Sequence, residues 1–527
     1  MNTMIMHLRY LILQVLVIYC CTNEALHNKN VVNFQVLRSP ETPTYKLMIN
    51  VSSSLHETDV RFLSIALASK RVPSNWMGSQ KLKNLASALA PSDIRLGGTS
   101  ADFLIFNPFD RLYESSDAYD VTDTDDIYDS GHFDAADDLQ NFTITGKQWE
   151  NFNAFVAVVG WDLLFDVNLF FWRSDGLWDS TNAELLLNYS SARAIRIPYF
   201  QLGNEPNAFW GNFHFRINPD ILANNFRILK DLISKYPLYA SSSLCGPDVA
   251  NVGTHGGARV YLSQFIAAGA YDIVDEYSLH HYYLDGDTAT VQDFLSVTTL
   301  DSLKVMLDNA LELSNDSPRP LPIQLTETSS AYGGGASGLS DRFIAGFLWL
   351  DKLGITAQYG VTRVFRQTLI GGAYALLSSS FDPAPDYYLS VLYKRLVEGP
   401  VFNISLDLSS QSLRVYAHCA RRGIYSPGAL VIYYLNLADA QTVLSFPQFK
   451  NATLDLYLLT PGDADGLKSK FVKLNGNVLL MDGSTLPSLS PQPYTGDVTV
   501  EGLTFGFIVV PKANVPLCVN YFSNLDH

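Results

Sequence analysis

The sequence predicts an α/β protein, a (β/α)8 TIM barrel followed by a C-terminal β-sandwich domain. Apolar, strand-like runs alternate with helical spacings over residues 55–395. Two of these runs end in a glutamate, Glu205 and Glu327, and barrel enzymes place catalytic side chains where their strands end. After about Lys394 the alternation gives way to short β runs separated by turns, which indicates a sandwich over residues 396–527.

The N-terminus has the features of a signal peptide, which we assign to residues 1–25. Tyr10–Cys21 is an apolar run of 12 residues, too short to span a bilayer comfortably, and a polar exit follows it. Residues 26–54 predict one or two strands that join the sandwich. We expect no later transmembrane segment, and a secreted, extracellular or lysosomal location.

The barrel is predicted to begin with a βαβ unit and to continue by repeating it. The expected strands are 61–67, 92–99, 161–168, 199–205, 238–247, 273–283, 321–327 and 360–368. The expected helices between them include 80–89, 181–189, 219–235, 261–268, 301–313 and 340–352. This count places Glu205 on the fourth strand and Glu327 on the seventh.

Residues 110–148 interrupt the alternation with an acidic, linker-like insert. Between Asp110 and Asp138 there are eleven acidic residues and a single base, Arg111. Such a stretch cannot bury enough apolar surface to fold alone, so we expect an exposed insert or linker.

Charge, cysteines and sequons constrain the class of protein. The formal net charge of -16 argues against a nucleic-acid partner. Beyond the signal peptide, Cys419 and Cys518 lie in the β-rich region and are the expected disulfide, which leaves Cys245 as a buried thiol. Six sequons favour a glycosylated protein, and they begin at Asn50, Asn141, Asn188, Asn315, Asn403 and Asn451.

Glu205 and Glu327 have the pattern of a glycosidase pair. Proline at 206 ends the first strand, and two carboxyl groups on separate barrel strands can flank a glycosidic bond as acid and nucleophile. The alternative is that both are ordinary strand-end carboxylates bonded to loops. His280-His281-Tyr282-Tyr283 could by itself be a metal site or barrel packing, but no third ligand stands at a useful spacing. We therefore expect no metal and no cofactor.

Three motifs together resemble the heparanase family, glycoside hydrolase family 79. They are Asn204-Glu205-Pro206-Asn207, His280 to Tyr283, and Glu327-Thr-Ser-Ser-Ala-Tyr-Gly-Gly-Gly-Ala336. The resemblance runs from about residue 55 to the C-terminus. It implies a retaining glycosidase in which Glu205 is the acid/base and Glu327 the nucleophile.

The resemblance also implies substrate-binding roles in the cleft. Asn204 matches the residue that binds the sugar at C2, and the loop of Tyr332, Gly333 and Gly334 matches the one that holds a uronate carboxylate. Tyr282 matches a tyrosine that supports the nucleophile. The other matching cleft positions are Thr99, His280, Gln367 and Tyr374.

The sequence departs from the family where basic residues are expected. Ala-Phe-Trp-Gly follows Asn207 without the family's lysine, and the basic cluster beyond Gly246-Pro-Asp-Val249 is replaced. We expect an endo-β-glucuronidase that acts on heparan sulfate-type glycans. An exo-acting enzyme on small or poorly sulfated glucuronides and a non-catalytic glycan-binding protein remain alternatives. The family also implies a protease that excises the 110–148 segment to leave two chains.

Overall fold

The structure is a computed structural model that describes residues 42–109, 140–253 and 256–525. The predicted signal peptide and most of the acidic insert lie outside these residues. The strands, in chain order, are β1 (Thr44–Asn50), β2 (His56–Thr58), β3 (Leu63–Ala68), β4 (Ser92–Gly97), β5 (Leu104–Asn107), β6 (Phe142–Thr145), β7 (Trp161–Val167), β8 (Tyr199–Leu202), β9 (Ser243–Ala250), β10 (Glu276–Asp285), β11 (Ile323–Tyr332), β12 (Val364–Gln367), β13 (Val397–Leu406), β14 (Leu413–Ala420), β15 (Leu430–Asn436), β16 (Thr442–Ser445), β17 (Thr453–Pro461), β18 (Val472–Leu474), β19 (Asn477–Val478), β20 (Gln492–Thr495), β21 (Val498–Val500) and β22 (Thr504–Val510).

Eight of these strands close a parallel barrel, which confirms the predicted fold class. Around the barrel the order is β3, β4, β7, β8, β9, β10, β11 and β12, so neighbours in sequence are neighbours in space. Apolar side chains fill the barrel wall because strands covered by helices on the outside are buried on both faces. Glu205 follows the fourth barrel strand, and Glu327 lies in the seventh.

Helices connect and cover the barrel strands. In chain order they are α1 (Gln80–Ser87), α2 (Gly146–Val158), α3 (Thr181–Ser191), α4 (Phe209–Phe213), α5 (Pro219–Ser234), α6 (Gly256–Ala267), α7 (Val291–Leu295), α8 (Val297–Asn315), α9 (Ala345–Gln358), α10 (Pro385–Leu396) and α11 (Pro516–Leu525). No helix of the described residues is long and apolar enough to cross a membrane.

Several boundaries differ from those predicted, and three of them have a clear physical reason. Residues 142–148, expected in the linker, instead form β6 and the start of α2, whose first turn is closed by a capping box of Thr145 and Gln148. The fifth barrel strand begins at Ser243 rather than 238, because the buried Tyr239 donates its hydroxyl to the carbonyl of Ile195 and closes a turn there. The seventh strand does not stop at Glu327 but continues to Tyr332.

The remaining long sheet has twelve strands, and it folds back on itself. Its path runs from β19 through β17, β22, β15, β14, β13 and β1 to β21, with β2 and β20 attached at the side. Strands from both ends of this path share one apolar core, which includes Ile49, Ile432, Leu444 and Ile508. The N-terminal strand β1 belongs to this sheet, because it pairs with β13 and β16.

The sheet also contains the disulfide of Cys419 and Cys518, whose Cα atoms are 5.5 Å apart, while Cys245 is a buried free thiol. The bond links β14 to α11 near the C-terminus. All six sequon asparagines are exposed.

Helix α9 joins the barrel to this sheet and is almost entirely buried. A methyl group on Gly354 would lie 2.5 Å from the ring of Tyr416 in β14, and one on Gly346 would lie 2.3 Å from the ring of Phe505 in β22. Only a glycine surface allows this close approach. The barrel and one face of the sheet therefore share a single apolar core.

Candidate active site

Glu205 sits in a tight turn that the local sequence imposes. Strand β8 ends at Leu202, Gly203 adopts a φ of 79°, and Pro206 begins a short 3-10 turn. Glu205 itself has a φ of 53°, a left-handed conformation that is unfavourable for a residue with a Cβ and that occurs at functional sites. The turn directs the carboxyl group away from the strand ladder, and the side chain is 22% exposed.

Glu327 is held by donors to both of its carboxylate oxygens. The hydroxyl of Tyr282 donates to Oε1 at 2.6 Å, and Nη1 of Arg95 donates to Oε2 at 2.8 Å. Tyr282 can serve as a donor because burial and the charge of Glu327 keep its pKa well above the usual value. The Glu327 residue is only 9% exposed, so these bonds fix its orientation in a dry site.

The two glutamates face each other beside His280. One carboxylate oxygen from each glutamate and a ring nitrogen of His280 all lie within 4.8 Å of one another. Nδ1 of His280 is 2.8 Å from Oε1 of Glu205. The sequence prediction placed these three residues in one cleft, and the structure brings them together.

Arg95 is the centre of the charge network, and the sequence analysis gave it no role. It is 1% exposed and contacts Asp166 at 3.1 Å and Asp248 at 2.5 Å, besides Glu327. It also donates to Oδ1 of Asn204 at 2.9 Å. Although burial opposes the charge, these carboxylates raise the pKa of Arg95. A lone arginine within the apolar strand β4 was the available signal.

His280 lies between carboxylates from both sides of the cleft. Its Nε2 is 2.9 Å from Oδ2 of Asp248, although the two atoms are out of line for a hydrogen bond, so the attraction is electrostatic. Burial lowers the pKa of His280, but the charges of Asp248 and Glu327 outweigh this and raise it to about 10.

Asp102 fixes the backbone beside the acid pair and was also missed. Its carboxylate accepts the backbone N–H of Asn204 and that of Leu169, each at 3.1 Å. Burial raises the pKa of Asp102 to about 7. Nothing in the sequence distinguished this aspartate, because its role arises only where three loops meet.

The other predicted cleft residues are near the pair. The ring of Tyr374 stacks on that of Tyr282 with centroids 6.3 Å apart, and Gln367 Nε2 lies 3.4 Å from the Tyr374 hydroxyl. Thr99 follows Gly98, where a methyl group would lie 3.8 Å from Oε2 of Glu327. The side chains of Tyr374 and Gln367 therefore lie beside Tyr282, which binds Glu327, whereas Thr99 is placed near Glu327 by its neighbour Gly98.

The glycine loop packs against Tyr374, and the Tyr332 hydroxyl is bonded to Asp285. Gly333 and Gly334 have φ values of 71° and 86°, and a methyl group on the next residue, Gly335, would lie 2.7 Å from the backbone nitrogen of Tyr374. Tyr332 is 51% exposed and donates its hydroxyl to Asp285 at 2.8 Å. The backbone of the loop is therefore adjacent to Tyr374.

Comparison with known protein families agrees with this geometry. Residues 75–354 match the family model described as glycosyl hydrolase family 79, N-terminal domain, which is more than half of the chain. The chain belongs to glycoside hydrolase family 79. It is therefore a glycoside hydrolase by family, and the barrel that carries Glu205 and Glu327 lies mostly within the matched region.

Several relatives of this family 79 chain are similar over most of their length. Mouse (Mus musculus) heparanase is 36% identical over 90% of this chain and 91% of its own. A hyaluronoglucuronidase from Hirudo nipponia is 32% identical over 84% of this chain and 91% of its own. Mouse inactive heparanase-2 is 29% identical over 90% of this chain and 89% of its own.

Solved structures show the same fold at low identity. A 4-O-alpha-L-rhamnosyl-beta-D-glucuronidase from Fusarium oxysporum aligns with a TM-score of 0.64 at 15% identity, covering 89% of this chain and 100% of its own. At that identity the likeness concerns the architecture of this family 79 chain.

Proposed function

We propose that this chain is a retaining endo-β-glucuronidase that cleaves glucuronic-acid linkages in heparan sulfate-type glycans. The supporting observation is the approach of the Glu205 and Glu327 carboxylate oxygens to within 4.8 Å. Retaining glycosidases hold their two carboxyl groups about 5 to 5.5 Å apart, whereas inverting enzymes leave about 6.5 to 9.5 Å for a water molecule. The short separation suits direct attack by one carboxylate.

In the first step Glu205 donates its proton to the glycosidic oxygen while Glu327 attacks the anomeric carbon. Glu205 suits the acid because it has no arginine partner among the described residues, whereas Glu327 is paired with Arg95. Glu327 suits the nucleophile because Arg95 and Tyr282 stabilise its ionised form and hold one orientation. The products are a covalent glycosyl-enzyme and a released sugar chain.

In the second step water attacks the anomeric carbon, the bond between that carbon and Glu327 breaks so that Glu327 leaves as a carboxylate, and Glu205, now ionised, takes the proton from the water. His280 contacts Glu205 through Nδ1 and can stabilise that ionised state with its positive charge. Asn204, oriented by Arg95 and Asp102, lies where it can bind the sugar at C2. The N–H groups of the glycine loop suit the uronate carboxylate.

Support for an anionic polymer comes from the relatives. Heparanase and a hyaluronoglucuronidase are both named for glycans that contain glucuronic acid, and both align over most of this chain. The segment after Asn207 lacks the lysine of the family, and this absence of a positive charge favours a substrate with few sulfates. An exo-acting enzyme on small glucuronides is the alternative.

We extend the proposal to a secreted or lysosomal glycoprotein that is cleaved within residues 110–148. The disulfide and the six exposed sequon asparagines support the oxidising compartment. Retention of Asn-linked sugar after expression in animal cells, together with N-terminal sequencing of the purified chains, tests both parts.

The catalytic assignment is tested with Glu327→Gln and Glu205→Gln. Each exchange keeps the side-chain shape but removes the nucleophile or the proton donor, so each should reduce kcat by at least about a thousandfold, or roughly 4 kcal/mol of transition-state stabilisation. Activity is measured by product sizing on heparan sulfate and on an unsulfated glucuronic-acid polymer, with an aryl β-glucuronide in parallel. NMR of the first-formed product should show the β anomer.

Other outcomes separate the alternatives. Release of monosaccharide only, with intact polymer ends, would replace endo action by exo action. An inactive wild-type protein that binds the polymer would favour a glycan-binding protein, the candidate raised by the similarity to inactive heparanase-2. Full turnover by Glu327→Gln would show that Glu327 is not the nucleophile. As a matched control, Glu184→Gln on the exposed side of α3 should keep wild-type activity.

A further inference from the structure

Trp210 and Arg216 form an exposed pair that the catalytic site does not use. Trp210 is 53% exposed although it belongs to helix α4, and the guanidinium of Arg216 lies over its ring at 4.4 Å from the centroid. Arg216 is exposed and has no acidic partner among the residues that the structure describes. In a protein of net charge -16, this pair places an aromatic surface and a positive charge side by side.

An aromatic cluster built around the buried Phe209 holds this pair in place. Within α4, Phe209 is fully buried and its ring lies 5.0 Å from that of Phe170, which also contacts Phe213 at 5.1 Å. Phe215, next to Arg216, packs on Trp172 at 5.4 Å. Aromatic contacts of this kind stabilise a short helix that would not form alone. The position of Trp210 is therefore fixed by the aromatic contacts of its helix.

The cluster is continuous with the catalytic end of the barrel. Phe103, in the loop that starts at Thr99, contacts Phe170 at 5.3 Å. The loop before Phe170 is bonded through Leu169 to Asp102, which also binds the backbone of Asn204. Trp210 itself follows Glu205 by five residues. The pair thus stands at the same end of the barrel as the two glutamates, on the side of Glu205.

We propose that Trp210 and Arg216 form an outer subsite that binds a glucuronic-acid residue of the polymer one or more sugars away from the cleaved bond. The indole offers an apolar surface for the C–H face of a pyranose, and the guanidinium offers two donors for its carboxylate. Such a subsite recognises the uronate carboxylate and the face of the sugar ring, and it does not require a sulfate group. The inference rests on the proposed function, because it needs a glucuronic-acid polymer in the cleft.

The test compares Trp210→Ala and Arg216→Ala with the wild-type enzyme on two substrates. One is an unsulfated polymer of alternating glucuronic acid and N-acetylglucosamine, and the other is an aryl β-glucuronide that is too short to reach the subsite. The ratio of kcat/KM for the polymer to kcat/KM for the aryl glucuronide should fall about tenfold in each variant, the size expected for one stacking or ionic contact. Trp210→Phe should recover most of the ratio.

Two control variants test whether the effect is specific to the position of Trp210 and Arg216. Arg196→Ala removes an exposed arginine that has no acidic partner within the described part of the chain and lies before β8, at the opposite end of the strand from Glu205. Tyr494→Ala removes an exposed aromatic side chain in the second sheet. Both should leave the ratio unchanged. An unchanged ratio in Trp210→Ala and Arg216→Ala, with wild-type enzyme active on both substrates, overturns the subsite alone. A wild-type enzyme inactive on both substrates overturns the proposed function instead.

Discussion

At the scale of single residues, Glu327, the proposed nucleophile, is held by two donors from different strands. Arg95 comes from β4 and Tyr282 from β10, and each binds a different oxygen of Glu327. Arg95 also contacts two aspartates, so its charge is shared among three carboxylates. The Tyr282 hydroxyl, in contrast, donates to Glu327.

Tyr282→Phe should therefore weaken catalysis without unfolding the protein. A hydrogen bond to a charged group contributes about 1.5 to 3 kcal/mol, which corresponds to a loss of roughly 10- to 150-fold in kcat/KM. The measurement is steady-state kinetics on an aryl β-glucuronide. Tyr283→Phe is the matched control, since the hydroxyl of Tyr283 is buried without a hydrogen-bond partner. Equal losses in the two variants would contradict this role of Tyr282.

Asp102 should make stability depend on pH between about 4 and 7. Its pKa rises from an ordinary 3.8 to about 7 on folding, so the folded state binds more protons than the unfolded state in this interval. The stabilisation from the protonated carboxyl is complete below about pH 4 and is lost as the pH rises through 7. Asp102→Asn removes the titration.

The measurement is urea unfolding of wild type and Asp102→Asn at several pH values. Between pH 4 and pH 7.5 the wild type should lose on the order of a few kcal/mol of unfolding free energy relative to Asp102→Asn. Parallel pH profiles for the two proteins would show that Asp102 does not titrate in this way.

The sequence predicted the acid pair but not its supporting charges. Glu205 and Glu327 stand out because a proline and a glycine-rich loop follow them at strand ends. Arg95, Asp102 and Asp248 lie within or beside strands, and what makes them functional is their burial and mutual distance, which a single sequence does not contain.

At the scale of elements, helix α9 presents consecutive residues to two different sheets. The hydroxyl of Tyr416 in β14 donates to Asp351 at 2.6 Å. Lys352 instead donates to the carbonyls of Ser329 at 2.7 Å and of His281 at 3.2 Å, which belong to the barrel strands β11 and β10. Both side chains are fully buried. Helix α9 therefore ties the catalytic strands to the second sheet.

Lys352→Met should loosen this connection. Methionine has a similar volume but removes a hydrogen-bond donor from the two carbonyls and from Thr328. This loss outweighs the gain from no longer burying an amine, whose pKa burial holds well below its usual value. We expect a loss of about 3 kcal/mol in unfolding free energy, measured by urea denaturation. Lys83→Met on α1, where the side chain is partly exposed, should change stability by less than about 0.5 kcal/mol.

Element types were easier to predict than element ends. The alternation of β and α segments gave all eight barrel strands, because buried parallel strands are almost continuously apolar. Boundaries at 148, 238 and 327 were wrong because a capping box, a buried tyrosine and pairing with a long neighbouring strand decided them. The buried tyrosine and the strand pairing are contacts between distant residues, whereas the capping box is local.

At the scale of the whole molecule, the disulfide closes a large loop of the second sheet. Cys419 and Cys518 are 99 residues apart, and the chain-entropy model assigns such a loop roughly 4 to 5 kcal/mol. The Cys419→Ser, Cys518→Ser double variant should lose most of this unfolding free energy, measured under non-reducing conditions. Cys245→Ser is the control, as that thiol is free. Recovery of a peptide that links Cys245 to either partner would contradict the pairing.

The position of residues 110–139 in the chain divides the catalytic machinery. Arg95 and Asp102 precede this stretch, whereas both glutamates follow it. A cut there would leave a short piece whose strands stay paired to the long one, β3 with β12, β4 with β7 and β1 with β13. The cleaved protein would then be a split enzyme. Neither fragment alone would hold the full set of charges, so activity would report that the fragments have reassociated.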